Sequence, residues 1–102
     1  MQTTTVEELK ARLDNGEKIN LLDVREDYER AEFNIGGTHL PLGKIQAMQF
    51  EDIEDWKDQE VIVYCRSGNR SGIASLFMEQ VGFKNPVNLV GGMLAWQDKF
   101  AK

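Results

Sequence analysis

A chain of 102 residues with 41% hydrophobic content has the size and apolar fraction of one folded domain, residues 1–102, rather than of a disordered segment. Its 17 acidic against 12 basic residues leave a net charge of −5, the wrong balance for a nucleic-acid face or an anionic membrane surface. One cysteine excludes an internal disulfide and a cysteine-based metal cage.

The N-terminus, Met1 to Glu8, has no basic segment followed by an apolar one, so no signal peptide is read there. No apolar run approaches the length of a membrane span. A cytoplasmic protein is expected, and a lone thiol suits that reducing compartment. Thr5-Val6-Glu7-Glu8 fits a capping box that opens a helix with Val6, Leu9 and Leu13 on one face. Asn15-Gly16 ends it. Ile19 to Val24 reads as a strand, and Asp27 to Phe33 as a short helical turn. Gly36-Gly37 precedes a short extended segment, Thr38 to Leu40, which Pro41 stops. Leu42 to Phe50 is ambiguous; Glu51 to Lys57 reads as a short acidic helix packed through Ile53 and Trp56. The acidic run from Glu51 to Glu60 is taken as a solvated face.

Val61-Ile62-Val63-Tyr64 is apolar and β-branched without alternation, the pattern of a strand buried on both faces of a parallel sheet. Ser71 to Val81 reads as a helix with Ile73, Ala74, Phe77, Met78 and Val81 inward and Gly82 closing it. Val87 to Val90 is a further strand, and Gly91-Gly92 leads to a last helix carrying Leu94, Trp96 and Phe100. Strands alternating with helices predict an α/β domain: a mainly parallel sheet of about five short strands, helices on both faces.

The segment Cys65-Arg66-Ser67-Gly68-Asn69-Arg70-Ser71-Gly72 joins the buried strand to a helix. It places Cys65 at the carboxyl end of a central strand, where open α/β sheets bind ligands. A short polar loop containing glycine can turn several backbone N–H groups to one point, and a helix N-terminus adds about half a positive charge. Together these stabilise a thiolate and make the sulfur a nucleophile. Arg66 and Arg70 add two guanidinium groups suited to an oxyanion. Ser67 and Ser71 add hydroxyls, although Ser71 is also placed to cap the helix.

The charge distribution agrees. The first sixty residues hold 15 acids against 7 bases, and the remainder 2 against 5. A lone cysteine at a strand end is ordinarily a small buried hydrophobe; this loop argues instead for a reactive sulfur meeting a small anion. A cysteine-dependent phosphatase requires an arginine six residues after the cysteine. Position 71 is serine and Arg70 falls one early, which disfavours phosphoryl chemistry.

The chain resembles a single-domain rhodanese, a family of thiosulfate and related sulfurtransferases. Leu21-Leu22-Asp23-Val24-Arg25 is similar to the family's Asp-Val-Arg strand end, and Glu29 to Phe33 to the turn after it. Cys65 to Ser71 resembles the six-residue active-site loop and the residue beyond. Asn88 to Trp96 matches the Leu-x-Gly-Gly-x-x-x-Trp closing motif. Asn34 to Pro41 departs from the pattern: it is shortened, with Asn34 where a histidine commonly stands, and His39 receives no role.

The resemblance implies a three-layer rhodanese-like fold and Cys65 as acceptor of a sulfane sulfur. Residues Arg66, Ser67, Gly68, Asn69, Arg70 and Ser71 would bind the donor, with both arginines neutralising it. Asp23 and Arg25 would support the loop from a neighbouring strand end, and Gly91-Gly92 would allow close backbone approach. The implied partners are a small anionic sulfur donor and a thiophilic acceptor: cyanide, a thiol or a carrier protein. No metal or organic cofactor is implied, and a monomer is expected. Two alternatives stand beside a thiosulfate sulfurtransferase: a persulfide relay in cofactor or tRNA thiolation, and a non-catalytic binding module of the same fold.

Overall fold

The computed structural model describes residues 1–100. Five strands, β1 (Gln2–Thr4), β2 (Leu21–Asp23), β3 (Thr38–His39), β4 (Glu60–Tyr64) and β5 (Asn85–Leu89), form one sheet in the order β1-β5-β4-β2-β3. Every pairing is parallel, with Ile62 opposite both Leu21 and Val87. The helices are α1 (Val6–Asp14), α2 (Asp27–Glu32), α3 (Leu42–Gln46), α4 (Asn69–Gln80) and α5 (Gly92–Phe100), with a 3₁₀ turn at Glu51–Trp56.

Strand β4 lies at the centre, which explains its unbroken apolar sequence: both faces are covered. Alternate side chains feed two cores. Val61, Val63 and Cys65 join Ala74 and Met78 of α4 and Ile45 of α3, while Ile62 and Tyr64 join Val6 and Leu9 of α1 and Met93 and Trp96 of α5. Helices therefore cover both faces, as the alternation of elements predicts. Cys65 is the last residue of the α4-side row, so its sulfur emerges where β4 gives way to the loop.

Several elements match their sequence signals. Thr5 caps α1, accepting from the Glu8 N–H at 3.1 Å, while Glu8 accepts from the Thr5 N–H at 3.2 Å. The acidic segment at 51–56 is the expected short helix, of the 3₁₀ type, with Ile53 buried and Trp56 packed against the same core. Others need correction. Strand β1, made of Gln-Thr-Thr, has no apolar signature because it is an edge strand exposed at Gln2 and Thr3. Ile73, Leu94 and Phe100 are exposed: in α4 the inward positions are Ala74, Ser75 and Met78, and in α5 they are Met93 and Trp96. Helix α4 also starts earlier than expected, at Asn69, with Gly68 (φ 107°) as its cap residue, so Ser71 is a helical residue and not the cap.

Loss of the reciprocal cap at Thr5 is expected to lower stability by about 1 kcal/mol. Thr5→Ala compared with the parent protein by urea unfolding checks this value.

Candidate functional site

The loop from Cys65 to Gly68 is held from outside by its carbonyl groups. The Met93 N–H donates to Cys65 O at 3.0 Å and the Leu94 N–H to Arg66 O at 2.9 Å, so the first amides of α5 strap the loop down. Gly68 O accepts from the Gly72 N–H at 3.1 Å and from Asn88 Nδ2, also at 3.1 Å. Gly92 permits the strap. It adopts φ 53°, and a Cβ there would overlap the backbone oxygens of Cys65 and Arg66.

With its carbonyls tied outward, the loop presents N–H groups to the sulfur. The Gly68 N–H donates to Cys65 Sγ at 3.0 Å, and the Ser71 hydroxyl oxygen lies 3.4 Å away. Cys65 is 1% exposed. Burial, the largest single influence, pushes its thiol up. It is outweighed by the Ser71 hydroxyl, when that proton faces sulfur, and by the backbone N–H groups of Ser71, Gly68 and Ser67. The net effect holds the thiol below its ordinary value.

The two arginines are not equivalent. Arg70 forms a bidentate ion pair with Glu29 of α2, both N–O distances being 2.7 Å. Its charge is therefore balanced by Glu29, a partner that the expectation of two cations facing the donor did not include. Arg66 is exposed, and its side chain has no ion-pair or hydrogen-bond partner among the described residues. Ser67 and Asn69 lie in the loop and the first helical position, with Ser67 contributing its backbone N–H. Ser71 is fully buried and donates to Asn88 Oδ1 at 2.5 Å.

Asp23 and Arg25 are buried and paired through Nε–Oδ1 and Nη2–Oδ2 contacts of 2.9 Å each. Among the described residues no hydrogen bond or ion pair joins them to the cysteine loop, although Arg25 lines the same cavity as Arg66. Arg25 donates instead to Phe33 O at 2.7 Å and lies 5.5 Å from the Tyr64 ring centre. The pair braces the segment after α2, and burial together with nearby Asp23 pushes the Tyr64 hydroxyl up to about 12. His39, assigned no role from sequence, bonds the Arg25 carbonyl through Nε2 at 2.7 Å.

Beside Arg66 opens a cavity of about 350 Å³ between α2 and the start of α5. Arg66, Arg25 and Glu29 line its polar side, and Tyr28, Phe33 and Leu94 its apolar side. Sequence reasoning missed Glu29 as the partner of Arg70 and Asn88 as a loop clamp. A polar residue within the otherwise apolar Val87–Leu89 run was the available signal for Asn88. No signal existed for Glu29, whose partner is 41 positions away. Among the described residues no group of three or more His, Cys, Asp or Glu side chains is arranged to hold a metal ion. Nor is any described helix long and apolar enough to cross a membrane.

Comparison with known proteins identifies the family and agrees with the fold. The family model for the rhodanese-like domain matches residues 5–99; the chain belongs to the rhodanese family. It is 38% identical over 97 residues to YrkF of Bacillus subtilis, provisionally named a sulfur carrier protein, covering 93% of this chain and 50% of that one. The chain thus spans about half the length of that relative. It is 40% identical over 90 residues to YtwF of the same organism, provisionally named a sulfurtransferase, covering 87% of this chain and 84% of that one. The crystal structure of a rhodanese-like domain protein from Staphylococcus aureus superposes with a TM-score of 0.82 at 28% identity, over 98% of this chain and 95% of that one.

Gly92→Ala drives a Cβ into the loop carbonyls and is expected to destabilise the fold by about 2 kcal/mol, measured by urea unfolding followed through tryptophan fluorescence. Glu29, held by Arg70 against the opposing effect of burial, has its carboxyl lowered from 4.5 to about 2. A depressed carboxylate stabilises the fold above its unfolded value and loses that contribution as pH falls through its folded value. The urea midpoint is therefore expected to drop between pH 4.5 and about 2 more steeply in the parent protein than in Glu29→Gln.

Proposed function

We propose that the protein is a sulfurtransferase that moves a sulfane sulfur from a small anionic donor such as thiosulfate to a thiophilic acceptor through a Cys65 persulfide. The observation that carries this reading is the buried Cys65 sulfur held by the Gly68 N–H at 3.0 Å, in a loop whose carbonyls are bound elsewhere. Such a site stabilises a thiolate without a general base. The relative provisionally named a sulfurtransferase supports the same chemistry.

In the first half-reaction the Cys65 thiolate attacks the outer sulfur of thiosulfate. An S–S bond forms to Sγ, the S–S bond of the donor breaks, and its electron pair leaves with sulfite. The negative charge then rests on the terminal sulfur of the persulfide, facing the loop amides. In the second half-reaction the acceptor attacks that sulfur and Cys65 leaves as thiolate, so the kinetics are ping-pong. Arg66, exposed and unpaired, is the residue placed to meet the dianion; Arg70 serves mainly to anchor the loop to α2 through Glu29.

A protein as the physiological acceptor is the second reading. It is favoured by the exposed Tyr28 (66%) and Leu94 (47%) at the cavity mouth and by the relative named a sulfur carrier.

Incubation with thiosulfate is expected to add one sulfur atom to the intact mass, and cyanide to remove it as thiocyanate. Cys65→Ser is expected to do neither. An unmodified parent protein that yields no thiocyanate contradicts thiosulfate as donor and favours the binding module. Replacing Arg66 with Ala is expected to raise KM for thiosulfate about tenfold, the scale of one lost charge-assisted hydrogen bond. The attraction is also expected to weaken with added salt. Steady-state thiocyanate kinetics at two ionic strengths check both.

A further inference from the structure

Asn88 sits on β5 with one end of its amide on the loop and the other on Ser71. Gly68 O is a carbonyl and can only accept, so the amide nitrogen must face it; this fixes Oδ1 on the side of Ser71. Oδ1 can only accept as well, so the Ser71 hydroxyl must donate to it. A serine hydroxyl has one proton. With that proton committed to Asn88, Ser71 has only lone pairs to offer Cys65 Sγ at 3.4 Å. The protonated cysteine can then donate S–H to Ser71, forming a chain that runs from Sγ to Oγ to Oδ1. The ionised cysteine meets a lone pair instead.

We propose that Asn88 is a positioning residue that holds the single Ser71 proton away from Cys65, so that only the backbone N–H groups of the loop donate to the thiolate. This deepens the sulfur-transfer reading and rests on it for its catalytic meaning. A hydroxyl bond to the thiolate would stabilise the ground state and blunt the sulfur, because nucleophilicity falls as the thiolate is stabilised. When the persulfide forms, the charge moves from Sγ to the terminal sulfur. The repulsion between the Ser71 lone pair and Sγ is relieved in that step, which favours sulfur uptake by destabilising the thiolate relative to the persulfide.

The charged groups that bear on Cys65 are Arg66 in its own loop, Arg70 in the first turn of α4, and Glu29, which reaches it through Arg70. Asp23 and Arg25 stand at the end of β2, and Tyr64 precedes the cysteine. Strand β5 brings no titratable side chain, and in α4 only Arg70 and, at the far end, Glu79 are charged. Substitutions at Ser71 and Asn88 leave all of these in place.

The test uses the sulfur-free protein and the rate of iodoacetamide alkylation against pH. One cysteine in the chain makes the readout specific to Cys65. Ser71→Ala removes the lone pair and is expected to lower the titration midpoint by about half a unit or more, roughly threefold in the ratio of thiolate to thiol. Asn88→Ala frees the hydroxyl to turn to the sulfur and is expected to lower it too. In the Ser71→Ala background the Asn88→Ala effect is expected to vanish, since Asn88 acts through Ser71. A midpoint that stays or rises in Ser71→Ala overturns the proposal, because the hydroxyl would then have been donating to the thiolate. An Asn88→Ala effect of equal size in both backgrounds also overturns it, because loosening of the Gly68 carbonyl would then account for the change. Circular dichroism checks folding. If Ser71→Ala does not fold, Asn88→Ala alone decides: a fall supports the proposal, and a midpoint that stays or rises overturns it. Failure of thiosulfate to add sulfur would remove the donor chemistry but leave these midpoints as measured.

Discussion

The site depends on where the carbonyl groups of the cysteine loop are bound. Amides of α5 take the carbonyls of Cys65 and Arg66, and Asn88 with the Gly72 N–H takes that of Gly68. A peptide whose oxygens are held outward has its N–H groups available on the other side, and here that side holds the sulfur. Gly92 is the enabling residue, because no side chain fits between α5 and the loop. The start of α5 therefore builds the site through backbone contacts: its amides act on the loop carbonyls. Helix α4 completes the arrangement, beginning at Asn69 and directing its first turn at Cys65.

Charge near the site is largely committed within the protein. The acidic excess of the first sixty residues does not simply surround a cationic loop. One of its members, Glu29, is buried and reaches in to neutralise Arg70. Asp23 likewise holds Arg25 in the interior, with Arg30 adding a contact at 3.3 Å. Three arginines near the site are thus structural. On the proposed reading, what remains for an incoming anion is Arg66 and the row of backbone amides. Such a site would bind charge mainly through fixed dipoles, whose orientation needs no rearrangement when the anion arrives.

The central strand, the capping box of α1 and the loop after the strand were legible because each is encoded by neighbouring residues: an apolar β-branched run, a Thr-x-x-Glu spacing, and Cys-Arg-Ser-Gly-Asn-Arg in a row. The Gly91-Gly92 approach was legible only in outline, since a glycine pair announces a special backbone but not what it lies against. Features that depend on long-range contacts were hidden. Edge strand β1 is polar and gains its structure by pairing with β5. The apolar residues Ile73, Leu94 and Phe100 obey no strict inward rule, because the surface of a small domain is itself largely apolar. The pairing of Arg70 with Glu29 leaves no local trace. The charge count of the loop therefore overstated what a ligand would meet.

On the proposed mechanism, backbone amides, rather than the loop's arginines, favour the thiolate form of Cys65. Titration of the thiol in the parent protein and in the Arg66→Ala, Arg70→Ala double variant, monitored by thiolate absorbance in the ultraviolet, measures this directly. The expected result is a midpoint below that of an ordinary thiol in both proteins, differing by less than about half a unit. A midpoint at the ordinary thiol value in the parent protein, or one that returns to it when the arginines are removed, would contradict the account.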